Sequence, residues 1–434
     1  MTDGSVETVD LAVVGAGAAG LATAIFAARA APSLRVWCLD GARHIGAKIL
    51  VSGGSRCNVT NAVVTERDFW GGSSHVVRRV LHAFPAARAV EFFEAIGVGL
   101  HEEDDGKLFP DTNRSRSVLD ALLAEASRRG VAIRTGERVV ALDTHADRFT
   151  IETARGSRYA AAAVALATGG RSLPKTGSDG FGYELARRLG HGYVETTPAL
   201  APLLLGERGT LPHDGPGTCR GLPYVQLSGV SHEARLTVLV NRRAAVRLEG
   251  ALLWTHFGIS GPAALDTSRH WHRARLDGSE VQVVLSTLPA DTFDTADVWL
   301  QTEQRSRPRA HVATVLASRL PGSLAAVWAS VAGVAGDTPM AHLPRDDRRR
   351  LAHALVETCL EVRDSRGYGF AEVTAGGIPL DEIDSGTMES RVCPGLYLVG
   401  EMLDVDGRLG GFNFQWAWSS AFVAGRAIAS AATR

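Results

Sequence analysis

Apolar and polar positions divide this chain into regions of different character. Val9 to Val14 is a short, nearly continuous apolar run, which predicts a strand buried on both faces. Ala18 to Ala31 is alanine-rich and favours helix, and Pro32 ends it. Leu34 to Leu39 is a second apolar run, closing in Asp40. Strand, turn, helix and strand in that order open a doubly wound parallel sheet. Gly41 to Asn61 is polar and glycine-rich and predicts a long functional loop. Helical periodicity returns at Val76 to Ile96 and Ser117 to Arg129. Strand-like runs follow at Val131 to Arg134, Glu137 to Leu142, Phe149 to Thr153 and Tyr159 to Ala167.

After about Thr196 the pattern changes to Pro, Gly and short alternating runs, with strands expected at Leu236 to Val240, Ala244 to Leu248 and Val281 to Leu285. From about Asp291 to Val362 the period is helical, with arginine-rich polar faces. Leu396 to Val399 then reads as a buried strand, followed by a Gly/Asp loop and a helix starting near Asn413. The expected fold is therefore α/β: a Rossmann-like, doubly wound domain in two parts, 1–195 and 371–434. An insert at 196–370 interrupts it, β-rich and barrel-like over 196–290 and helical over 291–362.

The first motif with chemical content is Gly15-Ala16-Gly17-Ala18-Ala19-Gly20, placed directly between a strand and a helix. Gly15 permits a sharp turn, Gly17 lets backbone approach a pyrophosphate, and Gly20 lets helix and strand pack closely. The first helical N–H groups, at Ala18 and Ala19, face the ligand, and the helix dipole favours its charge. Asp40 ends the next strand, where a carboxylate can accept from both hydroxyls of an adenosine ribose; Gly41 follows and starts the loop. An acid there also disfavours NADP at this site, because it repels a 2′-phosphate. The fingerprint alone does not separate NAD from FAD. A second glycine-rich turn, with Gly400, Glu401, Asp404 and Gly411, precedes the last helix. Asp404 suits a ribityl hydroxyl. The N–H groups of Phe412, Asn413 and Phe414 suit the flavin N1/C2 carbonyl end, where a helix N-terminus stabilises negative charge.

Composition narrows the function classes. At 434 residues the chain implies two or three domains, and 45% hydrophobic with 21% charged residues is globular. A formal net charge of -1 argues against a general nucleic-acid binder. The basic run around Arg345, Arg348, Arg349 and Arg350 is interrupted by Asp346 and Asp347 and reads as a solvated helix face. The five cysteines, Cys38, Cys57, Cys219, Cys359 and Cys393, are scattered without a CxxC pair. This argues against a disulfide framework, a zinc ribbon or an iron–sulfur site, and suggests a reducing, cytoplasmic setting. Leu11 to Ala28 is uncharged, but acids precede it and glycines split it, so neither a signal peptide nor a membrane span is expected.

Ala47 to Asn61 reads AKILVSGGSRCNVTN, and Trp254 to Pro262 reads WTHFGISGP. With Thr374 to Ile378, Thr387 to Ser390 and Gly400 to Gly425, these blocks closely resemble the BaiN/RdsA-type NAD(P)/FAD-dependent oxidoreductases over nearly the whole chain. The resemblance implies a two-part FAD domain, an inserted barrel-like domain and FAD as the tight cofactor. By position, it implies that Lys48, Ser52, Gly53, Gly54 and Asn58 line the phosphates and ribityl chain. Val139 would touch adenine through its backbone, and Ala167, Thr168 and Gly169 would form a crossover turn near the adenosine. Ala47 replaces the usual Arg, Ser55 the usual Gly, Asp40 the commoner Glu and Phe412 the common Tyr. Ser55 matters only if its backbone requires positive φ, which costs a non-glycine residue about 1 kcal/mol or more.

Catalytic groups are harder to read, because the flavin carries the redox chemistry. His256, in a glycine-rich part of the insert, is the candidate proton donor; a structural histidine holding that turn is the alternative. Cys57 has Arg56 beside it, which would lower its pKa, but no partner cysteine is near and it reads as a small packed thiol. Arg56 balances pyrophosphate charge or pairs with an acid. Gly177 to Gly182 has the wrong spacing for a second fingerprint, so NAD(P)H is expected as a transient hydride donor without its own domain. The expected function is a reductase or dehydrogenase passing hydride through flavin N5 between NAD(P)H and a small organic substrate. An oxygen-using flavin oxidase or monooxygenase and a non-catalytic flavin sensor are the alternatives. No metal or membrane partner is expected; an RNA-modifying flavoprotein is a further option, which the near-neutral charge weakens.

Overall fold

The computed structural model describes residues 7–145, 148–206 and 222–433. They divide into two compact units, 1–197 with 372–434, and 198–371.

The first unit is built on the opening strand–turn–helix–strand. β1 (Glu7–Val14) pairs in parallel with β2 (Val36–Asp40), and α1 (Ala18–Ala30) crosses between them. β1 is buried at every position from Leu11 on, which is why its sequence shows no alternation. On its other side β1 pairs in parallel with Arg158–Leu166, in register from Glu7↔Tyr159 to Val14↔Leu166. The far half of that strand pairs in parallel with Leu396–Leu398, so a strand from the chain's C-terminal part completes the sheet its first strand begins. The near half pairs antiparallel with Arg148–Thr153, which hairpins to Val139–His145.

The loop expected at 41–61 contains a broken helix, α2 (Ala47–Ser55). The single helical stretch expected at Val76 to Ile96 is two helices, Ser74–Ala83 and Ala86–Ala95, because Pro85 keeps Phe84 out of helical backbone and stops the first. The C-terminal helix Phe412–Ala432 is buried along most of its length and lies against α1. A Cβ on Gly425 would stand 2.8 Å from Ala27 N, so the two helices cross at backbone contact. Phe26, Phe84 and Phe422 fill the space beside the crossing, with ring centroids 4.8–5.2 Å apart.

The second unit holds a seven-stranded antiparallel sheet. Its long hairpin, Ser231–Val240 with Arg243–Thr255, is flanked by Val281–Ser286 and Gly258–Ser260. The two outermost strands, Thr358–Leu360 and Val362–Ser365, are consecutive in sequence with only Glu361 between them. That link draws the sheet's two edges together and makes it barrel-like. The stretch expected to be wholly β-rich also contains a helix, Pro262–Leu276. Pro262 supplies its first turn, and Ala263, Ala264, Thr267, Ser268 and Trp271 form its buried stripe at helical spacing. Trp254, packed edge-on to Trp328 at 5.9 Å, centres this unit's core. Among the described residues no helix is long and apolar enough to cross a membrane. Among them, too, no group of three or more His, Cys, Asp or Glu is placed to hold a metal ion.

Candidate functional site

The fingerprint turn is shaped by two close backbone approaches. Gly15 has φ 100°, and a Cβ there would stand 2.6 Å from Ala167 O. A Cβ on Gly20 would fall onto Gly15 O. Gly17 differs from both: it is the N-cap of α1, and a Cβ there would meet nothing within 4 Å. The open space therefore lies at the amino end of α1, where the N–H groups of the first turn lack intrahelical partners. Ala18 and Ala19 open that turn.

Asp40 holds main chain, a part that its spacing did not indicate. Its Oδ2 accepts from Ala16 N at 2.7 Å and its Oδ1 from Ala42 N at 2.8 Å. Both oxygens thus hold main chain, one of them the fingerprint turn itself, and only their second lone pairs remain for a ribose. A Cβ on Gly41 would stand 3.0 Å from the Arg138 Cβ, so Gly41 serves close packing. Gly136 N and Glu137 N donate to Ala42 O and Asp40 O, tying the turn before Val139 to the same corner. Val139 is buried and pairs with Thr153. Ala167 N donates to Val14 O at 2.9 Å, closing the crossover turn beside Gly15. The next residue, Thr168, has a buried Oγ1 with no hydrogen-bond partner. Gly169, with φ 72°, leads into the Ser172 network described below.

The AKILVSGGSRCNVTN block forms a sharp reversal. Ser52 is extended (φ −65°, ψ 150°), and Gly53, Gly54 and Ser55 follow with φ 54°, 66° and 68°. Cys57 is again positive at 65°. Ser52 O accepts from Cys57 N, and Ser52 Oγ donates to Ile49 O, which pins both sides of the reversal. The block then docks onto the amino end of the C-terminal helix, some 350 positions away in the chain. Asn61 Nδ2 donates to Gly410 O at 3.1 Å, Thr60 Oγ1 to Gln415 Oε1 at 2.6 Å, and Trp418 Nε1 to Val59 O at 2.9 Å. A Cβ on Gly411 would stand 2.5 Å from Thr60 O and 2.8 Å from Asn58 Oδ1. That Asn58 oxygen is buried and has no hydrogen-bond partner. Asn413 is locked the other way, exchanging two hydrogen bonds with the Gly407 main chain. Phe412 is buried under Arg408, and Phe414 stacks on Trp418 at 5.6 Å. Asp404 donates its N–H to Ile378 O and accepts from Gly72 N through its own carbonyl.

Lys48 is held by other side chains. Its Nζ donates to Glu401 Oε2 at 2.7 Å and to Ser172 Oγ at 2.8 Å. Glu401 Oε1 accepts from Ser172 Oγ and from Thr374 N, and Thr374 Oγ1 accepts from the amides of Arg171 and Ser172. This network joins α2, the segment after Gly169 and the Gly400 turn. Gly400 N donates to Ser420 Oγ, which secures that turn to the last helix. Ser172 and Thr374 carry no local signal of this role, because their partners lie about 200 positions away.

Three residues resolve plainly. Arg56 donates to Glu103 Oε1 at 2.6 Å and lies over the Phe109 ring at 4.1 Å, so its charge is matched by an acid. Cys57 is fully buried, and desolvation pushes its thiol up to about 12, so it stays protonated and inert. Cys38 and Cys393 are also buried free thiols; Cys219 lies outside the described residues. His256 belongs to the second unit, exposed on the turn between two strands with its ring edge-on to Phe257 at 5.1 Å. A Ser390–His191–Glu382 chain, with links of 2.8 and 2.7 Å, has the form of a nucleophile and its base. Ser390 is buried and its oxygen accepts from Val392 N and Cys393 N, so it anchors a turn.

The residues present fit a dinucleotide carrying a flavin. Gly17 opens on free space at a helix terminus, and two orphaned buried oxygens, on Thr168 and Asn58, mark the crossover turn and the second helix terminus.

Known proteins resemble this chain along its length. The HI0933-like protein Rossmann domain family matches residues 9–427. A 3-dehydro-bile acid delta(4,6)-reductase of Clostridium scindens is 33% identical over 419 residues, covering 96% of this chain and 98% of the relative. A ribosomal RNA dihydrouridine synthase of Escherichia coli is 31% identical over 426 residues, covering 98% and 99%. Among solved structures, the open conformation of a flavocytochrome c3 fumarate reductase aligns with a TM-score of 0.50 at 15% identity, covering 99% of this chain and 80% of that one. That likeness concerns the fold alone.

Proposed function

The chain belongs to the HI0933-like Rossmann-domain family, the BaiN/RdsA-type FAD-dependent oxidoreductases, and from that premise we propose a reductase acting between NAD(P)H and a small organic acceptor with a ring alkene. FAD, when bound, supplies a hydride acceptor and donor at N5. The amino end of α1 would hold the diphosphate, and Asp40 keeps the turn before it in shape. The Asn58 oxygen and the amides after Gly411 would hold the flavin end, where the helix terminus favours negative charge. Lys48, Ser172 and Glu401 hold three of the cofactor-binding segments to one another. His256 would be the proton donor to the acceptor. The proposed substrate class is supported by the names of the relatives: a delta(4,6)-reductase and a dihydrouridine synthase both saturate a ring double bond.

The observation that carries the reading is the free space beyond Gly17 at a helix terminus. Purified protein should be yellow, and NADH or NADPH should bleach it in anaerobic stopped-flow. A colourless protein indifferent to added FAD refutes the cofactor; a yellow protein that neither nicotinamide reduces refutes the donor. A uracil ring in ribosomal RNA is a second acceptor of the same chemistry, favoured by the relatives of that name. Loss of dihydrouridine from ribosomal RNA on deleting the gene would select it.

A further inference from the structure

The second unit holds an arginine against two aromatic rings. Arg366 Cζ lies 3.4 Å from the ring centroid of Phe370 and 4.6 Å from that of Phe257. Its main chain is tied down: Arg366 N donates to Pro202 O at 2.9 Å, and the flanking Ser365 Oγ contacts His272 Nε2 at 2.7 Å. Burial pushes His272 down to about 4, so that ring is neutral at pH 7 and the anchor is constant there. Other partly buried arginines of this unit are matched: Arg319 by Asp291, Arg348 by Asp297 and Arg235 by Glu249. Arg366 is not. Among the described residues its guanidinium makes no hydrogen bond and no ion pair. Phe370 is 49% exposed, and the exposed His256 adjoins Phe257 in the chain.

The two rings restrict the guanidinium without taking up its N–H groups, which are left to meet a ligand. Those groups match the two oxygens of a carboxylate or a phosphate. The exposed outer side of Phe370 suits a planar ring beside the anion. We propose that Arg366, with Phe257 and Phe370, is a substrate subsite of the second unit, taking an oxyanion (carboxylate or phosphate) attached to a planar ring. The proposal deepens the function proposed above and rests on it.

Isothermal titration of the purified holoprotein tests it with four probes: trans-cinnamate, uridine 5′-monophosphate, inorganic phosphate and cinnamyl alcohol. Cinnamate, uridine 5′-monophosphate or both should bind, and cinnamyl alcohol should bind at least about tenfold more weakly. Cinnamate alone assigns a small carboxylate, and the nucleotide alone assigns a phosphate. R366Q and R366K should each weaken the bound probe about tenfold or more, because lysine keeps the charge but not the fork. F370A, at a half-exposed position, should weaken ring-bearing probes and leave inorganic phosphate unchanged. The proposal is overturned if none of the anions binds the wild-type protein, or if R366Q binds them as the wild type does. Flavin content is read in the same samples. Wild-type protein without flavin counts against the proposed function, whereas flavin-replete protein that binds no anion counts against this subsite alone.

Discussion

Ser55 offers a clean test of the reversal that carries the cofactor loop. Its φ of 68° is the third left-handed value in succession, and its side chain is exposed. A residue with a Cβ pays roughly 1–2 kcal/mol in that conformation. Glycine does not, but it loses about 0.5–1 kcal/mol more backbone entropy on folding. Ser55→Gly should therefore stabilise the first unit by a net of about 0.5–1 kcal/mol. For a unit of about 260 residues that is a rise in Tm of roughly 1–2 °C. Ser55→Ala keeps the strained φ and should change Tm by less than about 1 °C. Differential scanning calorimetry of the two variants beside the wild type gives the answer. If Ser55→Gly lowers Tm, or if Ser55→Ala raises it equally, φ strain is not what the serine costs.

Cys57 should resist alkylation by iodoacetamide from pH 7 to 9 in native protein, read as unmodified peptide by mass spectrometry. Its thiol and that of Cys38 are both pushed up to about 12. Unfolded thiols ionise near 8.5 while these stay protonated, so their stabilising effect is whole below that pH and is lost as pH rises towards 12. Rapid labelling at pH 8 would contradict the burial. Lys48→Met and Glu401→Gln should each lower the stability of flavin-free protein. The double variant should show a coupling of about 1 kcal/mol, kept modest by side chains that are 24% and 18% exposed. Additive effects would mean that the pair does not join its segments.

The turn at Gly15 to Gly20 was legible in sequence because its chemistry is local: a strand, a sharp bend, a helix start and an acid closing the next strand. Asp40 was found by position, but its hold on the main chain was not. Its engagement with Ala16 N depends on how the ends of β1 and β2 lie side by side, which spacing does not encode. Arg56 had two readings, and the choice fell to Glu103, a residue 47 positions on. The GGSRCNVTN block was recognisable only as a resemblance. Its physical purpose, docking on Gly410 and Gln415, joins the two separated parts of one unit and has no local signature. The helix Pro262–Leu276 was legible in principle from Pro262 and its 3.6-residue stripe, but lay hidden among short strand-like runs.

Gly17→Val probes the space on which everything else depends. A Cβ at Gly17 would meet no protein atom within 4 Å, so the variant should fold and melt within about 1 °C of flavin-free wild type. Its FAD affinity, measured by flavin fluorescence on titrating the flavin-free protein, should fall about 100-fold or more, close to 3 kcal/mol. A folded Gly17→Val protein that still binds FAD as tightly as the wild type would place the dinucleotide somewhere else.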